Sequence, residues 1–289
     1  LGLYMYAKPD VVQRFDSKIN FKHLCREVGV PVVEYAIFKT RQGVHELVQL
    51  IKMMSNKTGK VIVRGEYGAS ASTTYVLDRL DYSLINEIVA SSKPEDRYLV
   101  EPFYKTLSSP SSVWFITKIR TIVLLRTSNQ LLEEGISHAG NEFPVQFAEE
   151  QVNRYSFRIA KRLAEEGFLG PFGIDYIETE KGLYATECNP RVTGAMYPWE
   201  LVSILEKKGS IKAARSENIH LPRKGLTFEA LKKLWKNVLY NGHNGKGIIV
   251  PYNVGPISEG KVTVLGTGSS KKEVDSLFKN IKSRLINLI

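Results

Sequence analysis

Two cysteines, Cys25 and Cys188, are too few in 289 residues for a disulfide framework or a thiolate metal cluster. A reducing cytoplasm is therefore the expected compartment. No apolar run approaches the ~20 residues needed to span a bilayer. The opening Leu1-Gly2-Leu3-Tyr4-Met5-Tyr6 lacks the charged-then-apolar layout of a secretory signal. It also lacks an initiator methionine, so residues 1–15 are read as the tail of an upstream domain. Internal repeats and low-complexity tracts are missing, and no Ser/His/Asp arrangement for nucleophilic catalysis can be read. Acidic residues are outnumbered, leaving a net charge of +10. The basic clusters, however, are only pairs (Lys207-Lys208, Lys232-Lys233, Lys271-Lys272). That spread disfavours a nucleic-acid arm. It leaves polyphosphate and carboxylate ligands, or simply a basic surface, to account for the charge.

What is present is an ordinary globular composition, 43% hydrophobic and 24% charged, in a chain long enough for two or three subdomains. Asp16 is read as the cap of a helix over 17–28, with Phe21, Leu24, Cys25 and Val28 on one face. Gly29 ends that helix and Pro31 prevents its restart. A strand over 32–38, a helix over 44–54 and a strand over 60–64 follow. Next come a loop of small residues over 65–72, a helix over 81–91 and a strand over 98–101. Beyond these the pattern predicts strands over 113–118 and 120–126, an irregular stretch over 134–141 and an amphipathic helix over 149–166. After an acidic hairpin come helices over 199–207, 227–239 and 271–288, and strands over 247–252 and 261–265. Such mixing of helices and strands reads as α+β layers.

The hairpin carries the chemistry. Gly173-Ile174-Asp175-Tyr176-Ile177 and Ala185-Thr186-Glu187-Cys188-Asn189 flank a turn read as a three-residue loop. Thr179 and Leu183 would close it, with Gly182 in the left-handed position. In that register Asp175 faces Glu187, and Asn189 projects on the side of Glu187 while Cys188 points away. Facing carboxylates repel, and a divalent cation turns the repulsion into attraction. Two carboxylates and an amide oxygen are hard donors that suit Mg²⁺ sharing its shell with phosphates. An exposed acidic rim would leave such charges merely solvated. Ile174, Tyr176 and Tyr184 on the opposite face argue instead for a half-buried hairpin, and Arg191 follows as an anion partner.

These elements in this order resemble the ATP-grasp enzymes over about residues 16–206. Within them the likeness is to carboxylate–amine ligases of the pheganomycin-type peptide ligase group. That subgroup is suggested by Asn129-Gln130-Leu131-Leu132 through Gly135 to Gly140-Asn141, and by Val250-Pro251-Tyr252-Asn253. The resemblance implies an α+β fold in which two lobes, 16–105 and 106–220, clasp ATP, the second carrying the metal site. A small α/β domain over 221–289 follows, read as a cap on the substrate cleft, a homodimer contact or a purely structural appendage. The domain that usually precedes the first lobe is expected to be absent or truncated. By the same resemblance Lys18 contacts phosphate, and Arg64 stands where a second lysine is usual. Glu101, Pro102 and Phe103 form the hinge that holds adenine. Asp175, Glu187 and Asn189 ligate Mg²⁺, and Arg191 meets the reacting phosphate or acyl group.

The loop after Arg64 is poorer in glycine than the family's. Ser70 and its hydroxylated neighbours are left to donate to phosphate oxygens. The implied activity is amide-bond formation between a carboxylate and an amine through an acyl phosphate, releasing ADP and phosphate. His138 is read as orienting substrate or accepting a proton, or as a structural loop residue. The alternatives are an ATP-binding module without turnover and a basic nucleic-acid binder.

Overall fold

A computed structural model describes residues 7–68, 72–133, 135–145, 148–243 and 245–286. Ser70 lies outside the described residues. In chain order the elements begin with α1 (Pro9–Asp16), α2 (Lys18–Glu27), β1 (Ala36–Lys39), α3 (Gly43–Thr58), β2 (Val61–Gly65) and β3 (Thr74–Leu77). There follow α4 (Tyr82–Ala90), β4 (Arg97–Pro102), β5 (Pro110–Ile116), β6 (Ile122–Glu133), β7 (Ser137–Phe143), α5 (Glu149–Glu165), β8 (Gly170–Thr179) and β9 (Gly182–Asn189). The chain closes with α6 (Met196–Glu206), β10 (Ala213–His220), α7 (Phe228–Trp235), β11 (Ile248–Asn253), β12 (Lys261–Gly268) and α8 (Lys271–Leu285). Among the described residues no helix is long and apolar enough to cross a membrane.

Two compact units result: Leu1–Leu125 with Gly135–Ser137 and Ala148–Val192, and Arg126–Glu134 with His138–Phe147 and Thr193–Ile289. In the first, β1, β4, β2 and β3 lie side by side in that order, every neighbouring pair antiparallel. Their apolar face packs under α3 and α4 through Phe38, Leu47, Ile51, Val61, Val63, Ile85 and Val100. A second layer of the same unit runs β5–β8–β9, also antiparallel. A buried hydroxyl chain ties it to α5. Trp114 Nε1 donates to Ser112 Oγ, which lies 2.7 Å from Ser156 Oγ, itself 2.7 Å from the Tyr176 hydroxyl.

Residues 9–15 of the segment read as the tail of an upstream domain form, with Asp16, the helix α1. Pro9 starts it, and Val11 and Phe15, four apart, are buried. Asp16 therefore ends α1 instead of capping α2. The cap is Ser17, whose hydroxyl accepts from the Asn20 N–H. Gly29 terminates α2 with φ +67, as read.

The second unit is built on β11–β12–β10–β7, antiparallel throughout, with β6 beside β7. Trp235, Leu231, Ile249, Val262, Val264, Phe278 and Ile281 fill its core. The stretch read as irregular is the strand β7. A glycine there resembles a break, but a Cβ at Gly140 would sit 2.0 Å from the Ser216 carbonyl oxygen on β10. Gly140 thus marks a close backbone approach inside a sheet, not a break. Gly140→Ala should lower unfolding free energy by about 1–3 kcal/mol, with no loss of secondary structure, in urea denaturation.

Candidate functional site

The acidic hairpin pairs as expected at its chemical end but is built differently. Thr179 pairs with Gly182, so the loop is two residues, Glu180 and Lys181. Gly182 adopts φ +132, outside the left-handed helical region. With that closure alone Asp175 would face Thr186. A bulge beyond Asp175 absorbs Thr186, whose hydroxyl donates to the Asp175 carbonyl at 3.0 Å. The register then shifts by one, so Asp175 faces Glu187 and Gly173 faces Asn189. A one-residue slip exchanges the faces of a strand. The bulge is therefore what brings the second carboxylate to the first.

Asp175 accepts from two side chains. Asn189 Nδ2 donates to its Oδ2 at 2.8 Å. Ser111, its register partner on β5, also donates to the carboxylate. Arg191 Nη2 donates to Asn189 Oδ1 at 2.8 Å, which fixes the orientation of the amide. Burial, followed by the charge of Glu187, pushes the Asp175 carboxyl up to about 7. Without a further cation the pair is frustrated.

The N-terminus of α2 supplies one positive charge. Lys18, 8% exposed, places Nζ 3.3 Å from Glu187 Oε2 and donates to the Gly68 carbonyl at 3.3 Å. Its own N–H donates to the Glu66 carbonyl. The Glu66 carboxylate accepts from the Ser17 hydroxyl and, through both oxygens, from Arg97. The start of the small-residue loop is thereby clamped to α2. Thr73 presses against both Gly65 and Gly68, where a Cβ would meet its Oγ1 at 2.7 and 2.3 Å. Its hydroxyl also donates to the Tyr67 carbonyl.

Arg64 is committed to Glu101. Its Nε and Nη2 lie 2.8 and 2.6 Å from Glu101 Oε2, while Lys22 Nζ reaches Oε1. Burial by itself would raise the Glu101 carboxyl, but Arg64 and Lys22 outweigh it and hold it below the usual carboxylate range. Pro102 pairs with Val61, and the Phe103 N–H donates to the Lys60 carbonyl, so that N–H already has an acceptor. His138, in the second unit, pairs through Nε2 with Asn141 Oδ1 at 2.8 Å. Both cysteines are buried and unpaired, and burial pushes the Cys25 thiol up to about 12. They are packing residues, not nucleophiles.

Sequence reading missed Lys22, Glu66, Arg97 and Ser111. Lys22 follows Lys18 by four residues and so shares its helix face, which was a usable signal. Ser111 is placed only by strand register and gave none.

Among the described residues there is no group of three or more His, Cys, Asp or Glu side chains able to hold a metal. Two carboxylates plus one amide oxygen are what the hairpin offers. This hard, incomplete set fits Mg²⁺ that takes its remaining ligands from phosphate and water. The repelling Asp175–Glu187 pair favours such an ion. Asn189 Oδ1 keeps a second lone pair beside the one Arg191 uses.

A profile of the ATP-grasp domain family matches residues 48–195, just over half the chain. That stretch includes Arg64, Glu101, Asp175, Glu187, Asn189 and Arg191 but not Lys18. No curated protein matches. Among solved structures, carboxyaminoimidazole ribonucleotide synthase from Aspergillus clavatus, complexed with ATP, superposes with TM-score 0.70 at 13% identity. The alignment covers 97% of this chain and 75% of that one. Phosphoribosylamine–glycine ligase from Thermotoga maritima gives TM-score 0.63 at 13% identity, covering 96% and 78%. The biotin carboxylase domain of the Hydrogenobacter thermophilus 2-oxoglutarate carboxylase, with MgADP and bicarbonate, gives 0.65 at 15%, covering 91% and 64%. At such identities these likenesses establish a shared fold.

Proposed function

Because this chain belongs to the ATP-grasp family, we propose that it is an ATP-dependent carbon–nitrogen ligase. It would phosphorylate a carboxylate and pass the acyl group to an amine, releasing ADP and phosphate. The observation that carries this reading is the bulged hairpin, which sets Asp175 against Glu187 with Asn189 alongside. Those three side chains would hold Mg²⁺, which when bound supplies charge neutralisation between phosphate oxygens. Lys18, anchored at the start of α2, would offer its ammonium to phosphate in exchange for its 3.3 Å contact with Glu187. Arg191 is exposed and held at one end by Asn189, so it is free to meet the substrate carboxylate and then the tetrahedral oxyanion. No covalent protein nucleophile is needed, and both thiols are buried.

The narrower reading, a peptide ligase of the pheganomycin type, rests on the 129–141 and 250–253 segments alone. A homodimer through the last domain and a cytoplasmic setting rest likewise on sequence. The lobe limits at 105 and 220 belong to this reading too.

A coupled assay decides the reaction class. ADP should appear only when ATP, a carboxylate and an amine are all present, screened across amino acids and small peptides. AMP and pyrophosphate would point to adenylation and overturn the proposal. One observation favours a second reading, a nucleotide-binding module without turnover: two N–H groups of Arg64 are spent on Glu101. Calorimetric binding of MgATP with no ADP release across the whole panel would select it.

A further inference from the structure

One turn after Lys18, α2 carries a second lysine whose side chain is completely buried. Lys22 Nζ lies 2.5 Å from Glu101 Oε1, donates to the Val33 carbonyl at 3.3 Å and sits 5.2 Å from the centre of the Tyr35 ring. Lys22 is 0% and Glu101 2% exposed. Arg64 takes the other oxygen of the same carboxylate, through Nε and Nη2. One buried anion is therefore shared by buried Lys22 and nearly buried Arg64. Burial pushes the Lys22 ammonium down while the Glu101 charge opposes that, and with Lys22 protonated the triad keeps a surplus positive charge. Surplus charge away from water is costly unless something of opposite sign answers it. Glu187 acts on Arg64 as well, but Lys18 already pairs with it.

A simple Arg64–Glu101 pair would be neutral and would offer a polyphosphate little. Arginine is also a forked donor that grips a carboxylate more tightly than lysine would. With an arginine at this place, something has to keep Glu101 from cancelling it. We propose that Lys22 is a positioning residue of the nucleotide site, which by occupying Glu101 Oε1 leaves Arg64 positively charged towards the phosphates. The inference rests on the ATP reading above. It assigns a role to a residue whose contacts are Glu101, the Val33 carbonyl and the Tyr35 ring, outside the proposed metal and phosphate ligands.

A mere tether between α2 and β4 would behave differently. Loss of a tether disturbs the whole site, whereas loss of a charge weakens phosphate binding selectively. The test is calorimetric affinity for MgATP and for uncharged adenosine in the full chain, comparing wild type with Lys22→Met, Lys22→Gln and Lys22→Arg. Circular dichroism melts run alongside. MgATP affinity should fall about tenfold or more in the Met and Gln variants. Adenosine affinity should stay within about twofold, and Lys22→Arg should restore most of the MgATP affinity. Equal losses for both ligands, or unchanged MgATP affinity, would overturn the proposal. If neither the Met nor the Gln variant folds, Lys22 is structural and the proposal fails. A wild-type protein that binds neither ligand sinks the ATP reading itself, and this inference with it.

Discussion

Glu187→Gln is expected to lower ATP turnover by about a hundredfold or more while leaving the fold intact. The charge it removes is one of only two carboxylates that would hold the metal, and Asp175 cannot replace it. Glutamine keeps the shape and one oxygen but not the charge that balances a divalent ion. Stability should barely change, because Glu187 is partly exposed and its ion pair with Lys18 is long, at 3.3 Å. Such a pair contributes roughly 0–1 kcal/mol. Steady-state ADP release and a thermal melt on the same preparation check both halves. Turnover within tenfold of wild type would remove Glu187 from the metal site.

Glu101→Gln should do the opposite, striking stability first. Glu101 is the carboxylate that pairs with both Lys22 and Arg64, and all three side chains are buried or nearly so. Neutralising it leaves two cations facing each other away from water, a loss of about 3–5 kcal/mol by analogy with broken buried pairs. Lys22→Met should cost much less, since Glu101 and Arg64 still pair. The ordering of the two variants matters more than either value. Urea denaturation would show it as a large drop in midpoint for Glu101→Gln and a small one for Lys22→Met.

A pH series adds a sign. Arg64 and Lys22 overcome the effect of burial and depress the Glu101 carboxyl, so its contribution is fully present above the ordinary carboxylate range. That contribution is lost as pH falls through the depressed value. Wild type should lose this increment on acidification, whereas Glu101→Gln has none to lose. Equal midpoints for both variants at neutral pH would contradict the triad's role.

The hairpin shows what the sequence could and could not deliver. Alternating apolar and acidic residues fixed its faces, and the Asp175–Glu187 pairing followed from a three-residue loop. The actual loop has two residues, and a bulge at Thr186 makes up the difference. Side-chain period constrains which residues share a face, but it does not say where an extra residue is absorbed. Gly140 illustrates the same gap, since a glycine that breaks a strand and one that lets two backbones close look alike in one dimension. Within residues 7–15, Pro9, Val11 and Phe15 carry a helical start and a buried i,i+4 pair, a signal short enough to pass as irregular chain. The α+β layering was legible because it rests on local periodicity. The Glu101 triad was not, because it joins α2, β2 and β4 across chain separations that no local pattern encodes.

The central claim, that this hairpin holds a divalent ion against a nucleotide, is met most directly by measuring ATP affinity with and without Mg²⁺. The comparison is between wild type and the Asp175→Asn, Glu187→Gln double variant. Mg²⁺ should tighten binding about tenfold or more in wild type and have no effect in the double variant. The same response to Mg²⁺ in both proteins would place the ion elsewhere and contradict the account.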